Sequence, residues 1–328
     1  MKFVLPLLLS LLFPSAPLAR GDEPRWPIQI TKGRITFLAE SGLDRQVMGL
    51  FSLAQDRLAS VEADLAEAPH IESVEVRLVK HQADIASAAP GGRGAPEWAV
   101  GMAYPTEGVV VIALRGKHGE FLDLEHALVH ELAHLVLARA FSPRLPPRWL
   151  AEGFSYLYSS DISLERAQAI WGALLGDRLI RIRELDETFP DRHDEVALAY
   201  AQSYDFVTFL ARRGRWQDER DDGDRAAFQQ FLATTSRGTQ VNEAALEAFG
   251  RTLDQLEEEW LESLRTRYLW LPLGAGGILL WGGASVLLIV GWVRRRRQAQ
   301  KTLRNWEADE AKGASQEDAP PTTSLPRD

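Results

Sequence analysis

The 328-residue chain contains no cysteine. This absence excludes a disulfide framework and a thiol nucleophile, and any transition-metal site must therefore use histidine nitrogens and carboxylate oxygens. An excess of positive charge is also missing. The formal net charge is −9, and we expect no nucleic-acid partner. Hydrophobic residues make up 45% of the chain, which is enough for one good-sized core or two small ones.

Residues 1–19 have the pattern of a secretory signal peptide. Lys2 precedes an apolar run over residues 3–13, and small residues and prolines follow before Arg20. This order predicts cleavage after Ala19. An uncleaved N-terminal membrane anchor is the alternative interpretation.

A second apolar segment, residues 268–293, contains no charged residue and is long enough to cross a bilayer as a helix. Trp270 and Trp292 lie near its two ends, where interfacial aromatic residues are favoured. Four arginines at 294–297 follow directly, and this positive charge predicts a cytoplasmic C-terminus. We therefore expect residues 22–267 to face the periplasm or the cell exterior. A buried core helix is the alternative, which the length of the apolar run disfavours.

The order of elements predicts an α+β domain over residues 22–267, with a small N-terminal mixed sheet and a helical second half. Residues 294–328 continue from the basic cluster into a polar tail, which we expect to be cytoplasmic and disordered. Period-two alternation predicts a hairpin at 28–38 and strands at 74–78, 98–104 and 109–114. Apolar residues at helical spacing predict helices at 42–66, 122–141, 149–158, 164–175, 195–213, 225–235, 242–249 and 253–267.

The sequence HELAH at residues 130–134 lies in the middle of the predicted helix 122–141. Residues four apart share one helical face, so the imidazoles of His130 and His134 can reach one ion. Two histidines on consecutive turns suit zinc, which takes nitrogen ligands at about 2.0–2.1 Å. Glu131 is turned toward the same cavity and is placed to take a proton from metal-bound water.

Glu152 is the candidate third ligand. It lies in the sequence WLAEG at residues 149–153, and the loop that precedes this segment contains three prolines. The loop allows a second helix to return past the first. A carboxylate with two histidines leaves a fourth position for water, which is the pattern of catalytic zinc. A surface glutamate on a helix is the alternative interpretation.

The other histidines fit less specific roles. His126 continues the helical face of His130 and a ligand role stays open, but a packing or orienting role fits better because Glu152 already completes the site. Four further histidines lie in loops or near the ends of elements and are interpreted as surface groups: His70, His81, His118 and His193.

HELAH followed by WLAEG resembles the gluzincin metallopeptidases, which include thermolysin-like and membrane aminopeptidase families. The chain is most similar to the peptidase MA-like group of bacterial proteins, roughly over residues 74–264. The resemblance implies one zinc ion per chain, an active-site helix, and a sheet whose edge strand binds extended substrate by strand addition. By that resemblance, residues 107–114 form the edge strand.

The same resemblance implies a tyrosine that stabilises an oxyanion from the helical half. Tyr200 is preferred to Tyr204 for this role, and the alternative is that both are ordinary buried aromatic residues. The chain also departs from its relatives. Residues 101–105 lack the acidic aminopeptidase signature, which favours an endopeptidase, and Tyr156 stands where thermolysin-like enzymes place a second-shell aspartate. The groups that orient the histidines are therefore not identified.

The sequence thus predicts a membrane-anchored zinc peptidase that hydrolyses peptide or protein substrates, with Glu131 as the general base. Two other interpretations remain. One is a catalytically inactive module that keeps the peptidase fold and binds peptides or a partner protein. The other is a structural membrane protein in which HELAH occurs by chance.

Overall fold

The computed structural model describes residues 25–159, 164–187, 193–217, 225–268 and 283–297. The chain divides into two compact units, Met1–Trp260 and Leu261–Asp328. The first unit contains the sheet and most helices, and residues 261–268 and 283–297 of the second are helical. The predicted signal peptide, residues 269–282 of the predicted span and the tail beyond residue 297 lie outside the described residues. Within the described ranges, no helix combines the length and apolar character needed to cross a membrane.

In the described part of the first unit, five strands form one mixed sheet. In chain order they are β1 (Ile28–Lys32), β2 (Ile35–Ala39), β3 (Val74–His81), β4 (Gly101–Tyr104) and β5 (Val109–Arg115). Their order across the sheet is β1-β2-β3-β5-β4. The three inner strands β2, β3 and β5 run parallel, and the outer strands β1 and β4 pair antiparallel with their neighbours.

The position of β5 corrects the prediction that residues 107–114 form the edge strand. β5 lies inside the sheet between β3 and β4, so that the edge next to it is β4. The five residues of β5 from Val109 to Ala113 are all buried, as expected of a strand covered on both faces. β4 has only four residues, and Met102 and Ala103 at its centre are partly exposed, which suits an edge.

The other main elements among the described residues of the first unit are helices. They are α1 (Asp44–Ala63), α2 (Ile85–Ala88), α3 (Leu124–Phe141), α4 (Arg148–Ser159), α5 (Leu164–Leu175), α6 (Glu184–Glu187), α7 (His193–Gln217), α8 (Ala226–Ser236) and α9 (Val241–Phe249). Residues 253–260 are also helical, and short 3₁₀ turns lie at Gln82–Asp84 and Pro90–Gly92. The α+β prediction with a small N-terminal sheet is therefore confirmed.

Helix α3 connects the two halves of the unit. One side of it packs on β4, β5 and α1, and the other side packs on α4. Because it is covered by both layers, its leucines at 128, 132 and 135 are fully buried. The HELAH sequence of α3 therefore lies between the sheet and the helical half.

Helix α4 is held against α7 by backbone contact. A Cβ atom at Gly153 would overlap the carbonyl oxygen of Ser203 and a methyl group of Val207. The same pair of helices shares a buried aromatic contact, with the rings of Trp149 and Phe206 centred 5.3 Å apart. Glycine at position 153 thus lets α4 approach α7 closely, and this approach sets where the neighbouring Glu152 lies.

Several predicted boundaries differ from the observed ones. β3 runs on to His81, and the predicted strand 98–104 begins only at Gly101. Trp98 lies outside the strand with 68% of its surface exposed. α7 is longer than predicted at both ends and continues through Gly214 to Gln217. A single glycine costs a helix only about 1 kcal/mol, which a helix of this length tolerates.

Candidate metal centre

Helix α3 begins with a side-chain cap. The Asp123 carboxylate accepts a hydrogen bond from the backbone N–H of His126 at 3.0 Å, and Glu125 in the first turn suits the positive end of the helix dipole. The cap fixes the start of the helix. From there, helical periodicity places His130 and His134 on consecutive turns of one face.

Three potential ligand atoms converge where α3 meets α4. The Nε2 atoms of His130 and His134 lie 3.1 Å apart, and Glu152 Oε2 lies 3.8 Å from the first and 3.5 Å from the second. A tetrahedron with ligand atoms about 2.0–2.1 Å from its centre has edges of about 3.3–3.4 Å. The three observed separations bracket that value. The side chains are 14%, 22% and 16% exposed, so an ion or water can reach them.

The charges around these atoms suit a bound cation. Burial holds the pKa of His130 well below its ordinary value, and the positive charges of His134 and Arg166 lower it further. Burial also lowers the pKa of His134, but the hydrogen bond and the charge of Glu152 outweigh it and raise that pKa overall. His130 therefore favours the neutral imidazole, which is the form that binds metals.

Glu131 is not one of the converging ligands and points instead toward the sheet. Its side chain is buried and lies against the edge strand β4. Burial raises the pKa of Glu131 to about 7, and the charge of Glu152 adds to this, while His134 and a hydrogen bond from the backbone of Ala103 lower it. A carboxyl group with this pKa can both take and return a proton near neutral pH.

Ser159 and His126 lie behind the candidate ligand His130. The Ser159 hydroxyl lies 3.4 Å from His130 Nδ1, and the Ser159 carbonyl oxygen lies 2.7 Å from His126 Nδ1. A hydrogen bond at Nδ1 directs the Nε2 lone pair of His130 toward the other ligands. His126 itself is not among the converging ligand atoms, and its ring stacks beside that of His130 at 6.1 Å.

Ser159 is not among the site residues that the sequence pattern indicates. It lies seven residues after Glu152, on the same face of α4, and this spacing was the signal available in the sequence.

Three tyrosines surround the helical side of the centre. The Tyr156 ring lies edge-on to His130, with centroids 4.6 Å apart, and the Tyr200 ring lies 5.9 Å from Tyr156. Burial raises the pKa of Tyr200 to about 12, and the charge of Glu152 contributes to this. Tyr204 instead packs its ring against Arg166.

The electrostatic environment of Tyr200 thus includes the candidate ligand Glu152. In the sequence, Tyr156 stands out only as the replacement for an aspartate, yet its ring is in direct contact with the candidate ligand His130. Its position one helical turn after Glu152 places it on the ligand face of α4.

Among the other histidines considered as surface groups, His70 is 72% exposed and lies 3.5 Å from Glu62. His81 and His118 are also exposed. The side chain of His193 lies outside the described residues. In the part of the chain that the structure describes, the group formed by His130, His134 and Glu152 is the one whose ligand atoms converge closely enough to hold a metal ion.

A comparison with protein-family models agrees with this geometry. The model of the Peptidase MA superfamily matches residues 54–266. This segment contains strands β3, β4 and β5, helices α3 to α9 and every residue of the candidate centre. A search of curated proteins finds no match to the chain. Since the matched segment covers well over half of the sequence, the chain has a peptidase-type domain and belongs to the Peptidase MA superfamily.

Proposed function

We propose that this chain is a zinc-dependent peptidase, and specifically an endopeptidase that hydrolyses peptide bonds in peptides or proteins. The observation that carries the proposal is the convergence of His130, His134 and Glu152, with Glu131 buried beside them on α3. A chance cluster of histidine and carboxylate side chains at the protein surface would not need a buried carboxylate next to it. The absence of an acidic aminopeptidase signature at residues 101–105 favours endopeptidase action.

The donor set fits zinc. Two imidazole nitrogens and one carboxylate oxygen are ligands that Zn²⁺ takes in catalytic sites, with the fourth position left for water or substrate. When bound, the ion would lower the pKa of water and polarise a carbonyl group. His130, His134 and Glu152 would hold it, and Ser159 would orient the ring of His130.

Glu131 has the properties of the proton-transferring group. Its pKa of about 7 matches a carboxylate that accepts a proton from water and then returns it to the leaving amine. The backbone of β4 supports this carboxylate from the sheet side, where Ala103 supplies a hydrogen bond. The support fixes the direction in which Glu131 presents its oxygens.

A tyrosine supplies the remaining polar contact. Tyr200 keeps its proton at neutral pH, as an ordinary tyrosine does, and its pKa of about 12 extends this to alkaline pH, so that its hydroxyl can donate a hydrogen bond to a developing oxyanion. Tyr156 has a raised pKa for the same main reason, burial, and it lies nearer to His130. Tyr200 is the proposed hydrogen-bond donor to the oxyanion, and Tyr156 is the alternative donor that mutagenesis would test.

The edge strand β4 offers a place for extended substrate. The backbone N–H of Ala113 on the neighbouring strand bonds to the carbonyl of Val100, and antiparallel alternation then turns the backbone groups of Gly101 and Ala103 away from β5. These groups line the side of β4 next to Glu131. Since the N–H of Ala103 bonds to Glu131, a peptide added along this side would pair with the other backbone groups of Gly101 and Ala103 and would pass the metal centre.

The membrane arrangement belongs to the same proposal and rests on sequence. Residues 1–19 would direct export, and residues 268–293 would anchor the protein as a single span. The arginines at 294–297 favour a cytoplasmic C-terminus, so that the peptidase domain would act in the periplasm or at the cell surface.

The test is metal content and hydrolysis in the full-length protein purified in detergent. Elemental analysis should find about one zinc per chain, which His134→Ala should lose. Glu131→Gln should keep the zinc but lower hydrolysis of a mixed peptide library at least about 10³-fold. Glu125→Gln is the matched control, since Glu125 is an exposed glutamate on the same helix.

The outcomes separate the interpretations. Absence of zinc, with no uptake after zinc is added, would overturn the peptidase proposal. Bound zinc without hydrolysis in the wild type would instead indicate a binding module that keeps the peptidase fold.

A further inference from the structure

Arg166 on α5 is held beside the metal centre by two aromatic rings. Its Cζ atom lies 4.8 Å from the centre of the Tyr156 ring and 4.9 Å from that of Tyr204. Tyr156 in turn lies edge-on to the ligand His130. The guanidinium is thus fixed in position one aromatic ring away from the centre, on its helical side.

Ile170 and Ala173, which lie one and two turns after Arg166 on the same helical face, are buried and attach α5 to the rest of the unit. Arg166 is half-buried, and the removal of a guanidinium from water is unfavourable unless anions or aromatic faces compensate for it. A guanidinium in this partly buried position beside the centre is suited to bind an anionic group of the substrate.

We propose that Arg166 is a substrate-recognition residue that binds a carboxylate of the peptide. The inference rests on the proposed peptidase function and adds to it the class of substrate, which is a peptide with a carboxylate one or two residues from the scissile bond. An extended chain advances about 3.3 Å per residue. Two residues thus span about 7 Å, and the length of the carboxylate-bearing group itself adds to this reach toward Arg166, which lies 4.8 Å beyond the centre of the Tyr156 ring.

The charges near the centre favour binding of this carboxylate on the helical side. Glu131 and Glu152 occupy the sheet side and the centre itself and would repel it. Arg166 lies on the helical side, where Arg148 also interacts with Tyr200. Planar guanidinium groups bind carboxylates through two parallel hydrogen bonds, and stacking on tyrosine rings orients the plane in advance.

Two sources can supply the carboxylate, namely the C-terminus of a short peptide and an acidic side chain. Peptide hydroxamates anchored at the metal centre distinguish them without knowledge of the cleavage site. The first probe ends in a free carboxylate, the second is identical but ends in a carboxamide, and the third ends in a carboxamide and carries a glutamate side chain. Affinity for each is measured with the zinc-loaded, full-length protein by calorimetry.

We expect the wild type to bind at least one carboxylate probe about 10- to 100-fold more tightly than the carboxamide probe, as charge-assisted pairing would give. The probe with the higher affinity identifies the source. Arg166→Gln should remove this preference while zinc content and affinity for the carboxamide probe stay within about threefold. Arg166→Lys should keep only part of the preference, since an ammonium does not form the same paired hydrogen bonds.

Arg212→Gln is the matched control. Arg212 is an exposed arginine on α7, twelve residues and about 18 Å along the helix from Tyr200, and its replacement should leave the preference intact. Equal affinities for all three probes in the wild type would overturn the inference, as would a preference that survives in both Arg166 variants. A protein that binds zinc but none of the probes would overturn the proposed peptidase site itself.

Discussion

Glu131 lies directly against Gly101 on the edge strand. A Cβ atom at position 101 would come within 2.7 Å of Glu131 Oε1 and 2.9 Å of its Cγ. Strand β4 therefore needs a residue without a side chain where it passes the buried carboxylate. The contact joins the strand proposed to bind substrate to the residue proposed to transfer the proton.

Gly101→Ala should displace Glu131 and lower kcat about 10- to 100-fold, because small shifts of a catalytic group are costly. Zinc content should not change, since Glu131 is not one of the three converging ligand residues. The measurement is kcat together with elemental analysis. Gly49→Ala on α1 is the control, because an added Cβ there meets no atom within 4 Å. Unchanged kcat in Gly101→Ala would contradict the proposed role of Glu131.

Tyr200→Phe should lower kcat about 100-fold with little change in KM, since loss of one oxyanion donor typically has this effect. Tyr204→Phe should change kcat less than about threefold, because its ring packs against Arg166. Steady-state kinetics on one peptide substrate compares the two variants. If Tyr156→Phe proves more damaging than Tyr200→Phe, the oxyanion donor is Tyr156.

The convergence of the candidate ligands on α3 was predictable because it depends on local geometry. His130 and His134 are four residues apart, and helical periodicity alone places them on one face. Glu152 required one further step, the return of a second helix, which the prolines before it suggested. Here the structure brings together the three residues that the sequence indicated.

The edge strand was predicted wrongly because strand order depends on pairing between distant segments. Residues 109–113 are five consecutive apolar residues, which is typical of a central strand buried on both faces, but the resemblance placed them at the edge. Ser159 and Tyr156 were not assigned roles for a related reason. Their contacts with His130 arise from the packing of α4 on α3, and helix packing angles cannot be read from one sequence.

Ser159→Ala should weaken zinc binding about tenfold. The hydroxyl of Ser159 contacts Nδ1 of the ligand His130, and loss of such a supporting group typically lowers metal affinity 10- to 100-fold. The lower value is expected here because the 3.4 Å distance indicates a weak hydrogen bond. Competition with a zinc chelator gives the affinity. Ser52→Ala on the exposed side of α1 should have no effect, and an equal loss in both variants would contradict the assignment.

The ion pair of Arg34 and Glu62 should make stability depend on pH at a site away from the metal. Two parallel hydrogen bonds of 2.8 Å and 2.6 Å join the groups, and the Glu62 side chain is 8% exposed. Burial alone would raise the pKa of Glu62, but the hydrogen bonds from Arg34 and from the backbone of Ile71 hold it below its ordinary value of 4.5. The unfolded chain therefore takes up the proton first as the pH falls.

It follows that the pair stabilises the fold fully above the ordinary carboxyl pKa, and that this contribution is lost as the pH falls below it through the lower pKa of the folded state. Glu62→Gln should lower the free energy of unfolding by about 1.5–3 kcal/mol at neutral pH and by clearly less near pH 3. Urea unfolding of both proteins at the two pH values measures the difference, and effects of acid on the metal centre cancel because both proteins share it.

Glu67→Gln is the control, since the pair of Glu67 with Arg237 is exposed on both sides and should contribute less than about 1 kcal/mol. A loss in Glu62→Gln that is the same at both pH values would show that packing, and not the charge of Glu62, accounts for its contribution.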